Sequence, residues 1–195
     1  MTGKTHVAIG IAAGLTISFG QRVENQLILV LASALGSLIP DLDHPKAKLN
    51  QKLLLINNNF YRSLFYLSLG SIFMYLYFAN KIESFLLLGI VSFLVAISNH
   101  RSFTHSIIGF LASASIVGMG TLKYGLSSAY SGFVIGYILH LVADFFTPKG
   151  IKLFYPLKTN IAFPITVRTS SKTEKIIFVF LGIYSVCLLI GYLKV

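Results

Sequence analysis

Eight side chains of this 195-residue sequence can do metal or acid–base chemistry in concert. They are all five histidines (His6, His44, His100, His105, His140) and three of the six acids (Asp41, Asp43, Asp144). Pro40-Asp41-Leu42-Asp43-His44-Pro45 puts two carboxylates and an imidazole within four residues. That donor set suits a borderline or hard divalent cation. Its two prolines are expected to hold the backbone extended and turned. His140 and Asp144 stand four apart, and on a helix such residues share a face, where they can chelate one ion or orient each other. His100-Arg101-Ser102-Phe103-Thr104-His105-Ser106 opens an apolar run. Thr104 or Ser102 is expected to cap that helix, and its N-terminus beside Arg101 suits a phosphate or another anion. His105 sits where a first-turn ligand would sit, and His100 is a ligand or a hydrogen-bond partner of one. Each cluster also has a plainer reading: a solvated cap, a local His–Asp bond, topology-setting charge, or, for His6, a bland interfacial histidine.

The elements that must position these residues are apolar. The chain is 55% hydrophobic and only 11% charged, where a soluble domain carries roughly 25%. A water-soluble enzyme, a nucleic-acid reader and a disordered chain are therefore excluded. Apolar runs cover 7–20, 23–39, 64–80, 84–98, 105–122, 126–143 and 176–193. The later runs approach the roughly 20 residues that a bilayer-spanning helix needs. The expected fold is all-α: a polytopic integral membrane bundle of six to seven apolar helices in a single domain, 1–195. Residues 1–160 bear the motifs, and 176–193 forms a C-terminal transmembrane helix. The short first two runs either span a thin or tilted arrangement or form a re-entrant pair. Gly10/Gly14 and Gly132/Gly136 are small-xxx-small pairs, read as internal packing rather than dimerisation. The single Cys187 excludes an intramolecular disulfide, a cysteine metal site and, in this reading, a disulfide-linked partner.

Chain parity places the N-terminus, 40–63, 99–104 and 144–175 on one side. That side holds twelve of the sixteen basic residues, leaving Arg22, Lys81, Lys123 and Lys194 for the other. By the positive-inside rule the first side is cytoplasmic. All eight chemistry-bearing residues fall on it, and ionisable groups at membrane depth are costly and usually functional.

In this order the motifs resemble the YdjM-type, LexA-regulated inner-membrane family of metal-dependent hydrolases. The residues that carry the resemblance are His6, Pro-Asp-Leu-Asp-His-Pro at 40–45, His-Arg-x-x-Thr-His-Ser at 100–106 and His-x-x-x-Asp-x-x-Thr-Pro-x-Gly at 140–150. Ser102 stands where the family usually has glycine. The resemblance implies a divalent metal, zinc ahead of manganese or iron, on His6, Asp41, Asp43, His105, His140 and Asp144. Six ligands exceed the need of one tetrahedral zinc, which favours two ions. It also implies a distant similarity to zinc-dependent phospholipase C and P1-type nucleases, hence phosphoester hydrolysis by metal-activated water. Arg101 is then expected to neutralise transition-state charge, Asp43 to act as general base, and His100 to assist them. A membrane lipid is the expected substrate, cleaved at the cytoplasmic face of the cell membrane, with no nucleic-acid partner. A membrane structural or regulatory protein with a non-catalytic metal site is the alternative. A transporter fits less well, because the ligands gather at one face instead of the midplane.

Overall fold

A computed structural model describes residues 1–192. It is an all-α membrane helical bundle, with no β-strand among the described residues beyond a single bridge between Ile151 and Ile161. The helices are α1 (Gly3–Ile17), α2 (Val23–Gly36), a short α3 (Asn50–Leu53), α4 (Asn59–Asn80), α5 (Glu83–Ile97), α6 (Ile107–Thr121), α7 (Ser127–Phe145) and α8 (Lys172–Tyr192). Five segments are long and apolar enough to cross a membrane: Val23–Asp43, Asn59–Asn80, Ile107–Tyr124, Ser127–Phe145 and Lys172–Tyr192. The first of these is α2 prolonged by a 3-10 turn, Pro40–Asp43. α1 and α5 have 15 residues each, about 22 Å of helix at 1.5 Å per residue. Residue 193 and Lys194 lie outside the described residues.

Local chemistry sets the boundaries. Asn58 caps α4 by accepting the Tyr61 N–H at 2.8 Å, so the helix starts five residues ahead of the apolar run. Ser106 caps α6 by accepting the Gly109 N–H at 3.1 Å. The expected caps serve elsewhere: Thr104 donates to Asp43, and Ser102 donates to the Asn99 carbonyl. Consequently His105 precedes α6, in a 3-10 turn spanning Phe103–His105. The Pro40–Pro45 segment is likewise a 3-10 turn running on from α2, because proline is tolerated in a first helical turn. Only His44, before Pro45, is extended.

The core is built on α7, which packs on α2, α1 and α6, while α4 pairs with α5 and α8 lies on α1. A Cβ at Gly132 would overlap the Leu29 carbonyl of α2, and one at Gly136 would overlap that of Ser33. Only hydrogen side chains allow this approach, so the pair is internal packing. The seven apolar helices alternate in direction. One end of each meets the same polar layer, formed by the start of α1, the end of α2, the start of α4, the end of α5 and the starts or ends of α6, α7 and α8.

Candidate metal centre

Four chain segments bring the donors together. α1 supplies His6, the 3-10 turn after α2 supplies Asp41 and Asp43, the α5–α6 connection supplies His100 and His105, and α7 supplies His140 and Asp144. Two groups of three offer ligand atoms within 4.8 Å of one another: His6, His140 and Asp144, and Asp41, His100 and His105. They adjoin, with Nε2 of His105 lying 3.2 Å from Nε2 of His140. Asp41 Oδ1 is 3.8 Å from both of these nitrogens. Asp144 Oδ2 is 3.5 Å from the first and 3.9 Å from the second. Donors about 2.0–2.2 Å from one tetrahedral ion stand about 3.3–3.6 Å apart.

The outer nitrogens of the imidazoles are fixed from behind. His140 Nδ1 lies 2.7 Å from the Ser37 carbonyl. A carbonyl only accepts, so Nδ1 carries the proton and Nε2 offers a lone pair. Ser37 follows α2, where carbonyls lack intrahelical donors. His105 Nδ1 faces Asp43 Oδ2 at 3.3 Å, which sets the same tautomer. Two lone pairs then face each other across 3.2 Å, an arrangement that needs a proton or a cation between them. His6 adds a second demand. It is buried and stacked on His140 with centroids 3.7 Å apart. Its Nε2 is 3.3 Å from Asp144 Oδ1 without the alignment of a hydrogen bond, and neither ring nitrogen has a hydrogen-bond partner. A buried, unpaired imidazole costs about 1–3 kcal/mol, which ligation would offset. The residues present fit a divalent ion.

The surrounding carboxylates favour a positive charge at this point. Burial alone would lower the pKa of His105, but Asp43, Asp144 and Asp41 outweigh it and raise it to about 10, so a proton takes the Nε2 position that an ion would otherwise hold. His44, at the rim, is shifted down by burial and by the neighbouring His100.

Asp43 has a different place from the one expected. Its Oδ1 bonds His100 Nδ1 at 2.8 Å, while its Oδ2 accepts the Arg101 N–H and the Thr104 hydroxyl, each at 2.8 Å. With both oxygens taken by protein donors, it joins neither ligand group and serves to orient the imidazoles. Arg101 also departs from expectation. Its guanidinium is turned from the start of α6 toward Asp144 Oδ2 (3.0 Å), Thr147 Oγ1 (2.6 Å) and the Gly150 carbonyl (3.1 Å). Its backbone is left-handed at φ 63°, which directs the N–H onto Asp43. His140 and Asp144 share a face of α7 but form no direct hydrogen bond at 3.9 Å. Sequence reasoning missed three supports. Arg62 is buried and donates to the carbonyls of Asp43, Val95, Ala96 and Ser98. Thr147 receives Arg101. Glu174 accepts the Thr2 N–H at 2.6 Å, tying α8 to the start of α1. The available signals were Arg62 at the start of an apolar run and Thr147 within the 140–150 motif.

The family described as YdjM inner membrane protein matches residues 1–194. The chain is 25% identical over 177 residues to the uncharacterized protein YvsG of Bacillus subtilis (strain 168), covering 91% of this chain and 87% of that protein. It is 25% identical over 197 residues to the inner membrane protein YdjM of Escherichia coli (strain K12), covering 95% and 82%. The YdjM of Shigella flexneri matches equally. No solved structure matches, and the expected distant similarity to zinc-dependent phospholipase C and P1-type nucleases has no counterpart among these relatives.

Proposed function

This chain belongs to the YdjM inner membrane protein family, and from that premise we propose that it is a multi-pass, metal-dependent hydrolase of a lipid phosphoester, working at the cytoplasmic face. The observation that carries the reading is the pair of adjoining three-donor groups, His6, His140 and Asp144 beside Asp41, His100 and His105, whose nearest nitrogens lie 3.2 Å apart. In this reading His6, His140 and Asp144 hold one divalent ion and Asp41, His100 and His105 the other, each set having the three protein ligands typical of catalytic sites. Such ions supply Lewis acidity toward a phosphoryl oxygen and the attacking water.

The chain's own groups hold and orient. Asp43 fixes His100 and His105, the Ser37 carbonyl fixes His140, and Arg101 fixes Asp144 while lining the cleft that opens onto the site. That cleft, of about 390 Å³, is also lined by His44, His100, Lys149 and Arg168 and by no carboxylate. It suits an anionic group. The alternative is a metal staple without catalysis, favoured by the burial of His6, His105, His140 and Asp144. A transport route is disfavoured by the site's place at one end of the bundle.

The test is metal content by plasma mass spectrometry on detergent-purified protein, with phosphoester turnover measured in parallel. Two zinc, manganese or iron ions per chain, lost in His140→Ala together with turnover, are expected. Absence of metal after reconstitution would overturn the reading. Metal loss that lowers thermal stability in a protein without turnover would favour the staple.

A further inference from the structure

A second cleft adjoins the basic one. It measures about 500 Å³ and lies between the start of α4 and the end of α5. The two clefts share His44 and His100, whose rings stand 4.6 Å apart at the junction. Away from that junction their characters diverge. The α4–α5 crevice ends on Leu67 and Ile97, which are 41% and 70% exposed on the bundle's outer surface. Leu67 lies about two turns inside α4 and Ile97 closes α5, so in a membrane this side of the crevice opens at the edge of the hydrocarbon. The other cleft ends on Lys149 and Arg168, exposed in the polar loop between α7 and α8. Neither cleft is lined by a carboxylate. Among the described residues one guanidinium lines the crevice, that of Arg62, and its Nη1 and Nη2 donate to backbone carbonyls.

At the junction, His44 Nδ1 accepts the Lys46 N–H at 3.2 Å. The neutral ring therefore carries its proton on Nε2, which makes it a hydrogen-bond donor. One continuous surface thus runs from the hydrocarbon edge, past an imidazole donor and the candidate metal centre, to the exposed cations of Lys149 and Arg168. That order of chemistry matches an amphiphile with an anionic head.

We infer that an anionic phospholipid binds across the His44–His100 junction, its hydrocarbon chain in the α4–α5 crevice against Leu67 and Ile97 and its head group in the cleft of Lys149 and Arg168. This deepens the hydrolase reading by naming the substrate's class and its direction of approach, laterally from the leaflet. It rests on that reading for turnover but not for binding.

The experiment is photo-crosslinking of the full chain in phosphatidylcholine vesicles. The probe is phosphatidic acid carrying a diazirine in its acyl chain, with diacylglycerol bearing the same diazirine as control, and adducts are mapped by mass spectrometry. Adducts on the lipid-facing surface of α8 report ordinary lipid contact and normalise each sample. The phosphate-bearing probe is expected to enrich adducts at 64–67 and 96–97 over the control probe. Lys149→Gln and Arg168→Gln should each reduce that enrichment about fivefold, from the attraction of one basic residue to an anionic lipid. Equal labelling by both probes, or enrichment untouched by both substitutions, would overturn the inference. So would labelling of the crevice no greater than that of α8. Because the readout is an adduct, the enrichment is expected in His140→Ala as well. Its persistence in a protein shown to bind no metal would leave the lipid site standing while the hydrolase reading fell.

Discussion

Both oxygens of Asp43 are committed to His100, His105, Arg101 and Thr104, whereas Asp41 Oδ1 points to the two facing imidazole nitrogens. The two aspartates sit two residues apart, yet their substitutions should part company. Asp43→Asn keeps the volume but loses the charge that orients two imidazoles. Loss of such a support typically costs 10–100-fold in metal affinity, so weakened binding at unchanged stoichiometry is expected in a zinc titration. Asp41→Asn removes a donor, and the same titration should show one ion fewer per chain. Equal behaviour of the two variants would refute the division of labour. The sequence alone ranked both as ligands, because spacing reports proximity and not which oxygen faces inward. A 3-10 turn in place of an extended segment decides that.

Helix α7 carries His140 and Asp144, and its distance from α2 sets their distance from Asp41. That distance is fixed by backbone contact at Gly132 and Gly136. Gly136→Ala gains about 1 kcal/mol in helix propensity. The new methyl, however, would overlap the Ser33 carbonyl, which cannot rotate aside, and overpacking costs about 1–3 kcal/mol. Overlap wins, so a lowered melting temperature and weakened metal binding are expected together. Gly182→Ala on α8, with nothing within 4 Å of the added carbon, keeps the propensity gain without the overlap and should be stabilised by up to about 1 kcal/mol. A melt in detergent compares the two. Seven apolar helices were legible from the runs. The starts of α2, α5 and α7 were legible to within a residue, but those of α4 and α6 were not, because Asn58 and Ser106 are capping residues that hydropathy ignores.

Across the whole molecule, helix alternation gathers every histidine, Asp41, Asp43 and Asp144 at one end. Twelve basic residues occupy that end by chain order, against Arg22, Lys81 and Lys123 among the described residues of the other. By the positive-inside rule this end is expected to face the cytoplasm, as the proposed function requires. On a Cys187→Ser background, Lys123→Cys should react with an impermeant maleimide in intact spheroplasts. Lys158→Cys should react only after lysis. The reverse pattern would place the site outside.

The sequence by itself determined the class of fold, the number of apolar helices to within one, the family and the gathering of ionisable residues on one side. Hydropathy, charge bias and motif order are properties of residue types, and each survives without coordinates. Only the tertiary structure decided which of the gathered groups faces which. It turned Arg101 onto Asp144, spent Asp43 on two histidines, and brought Arg62 and the Ser37 carbonyl into support of the site. Those choices depend on tautomers, helix ends and contacts between segments up to 103 residues apart. No local pattern encodes them, because each is set by the packing of several helices at once.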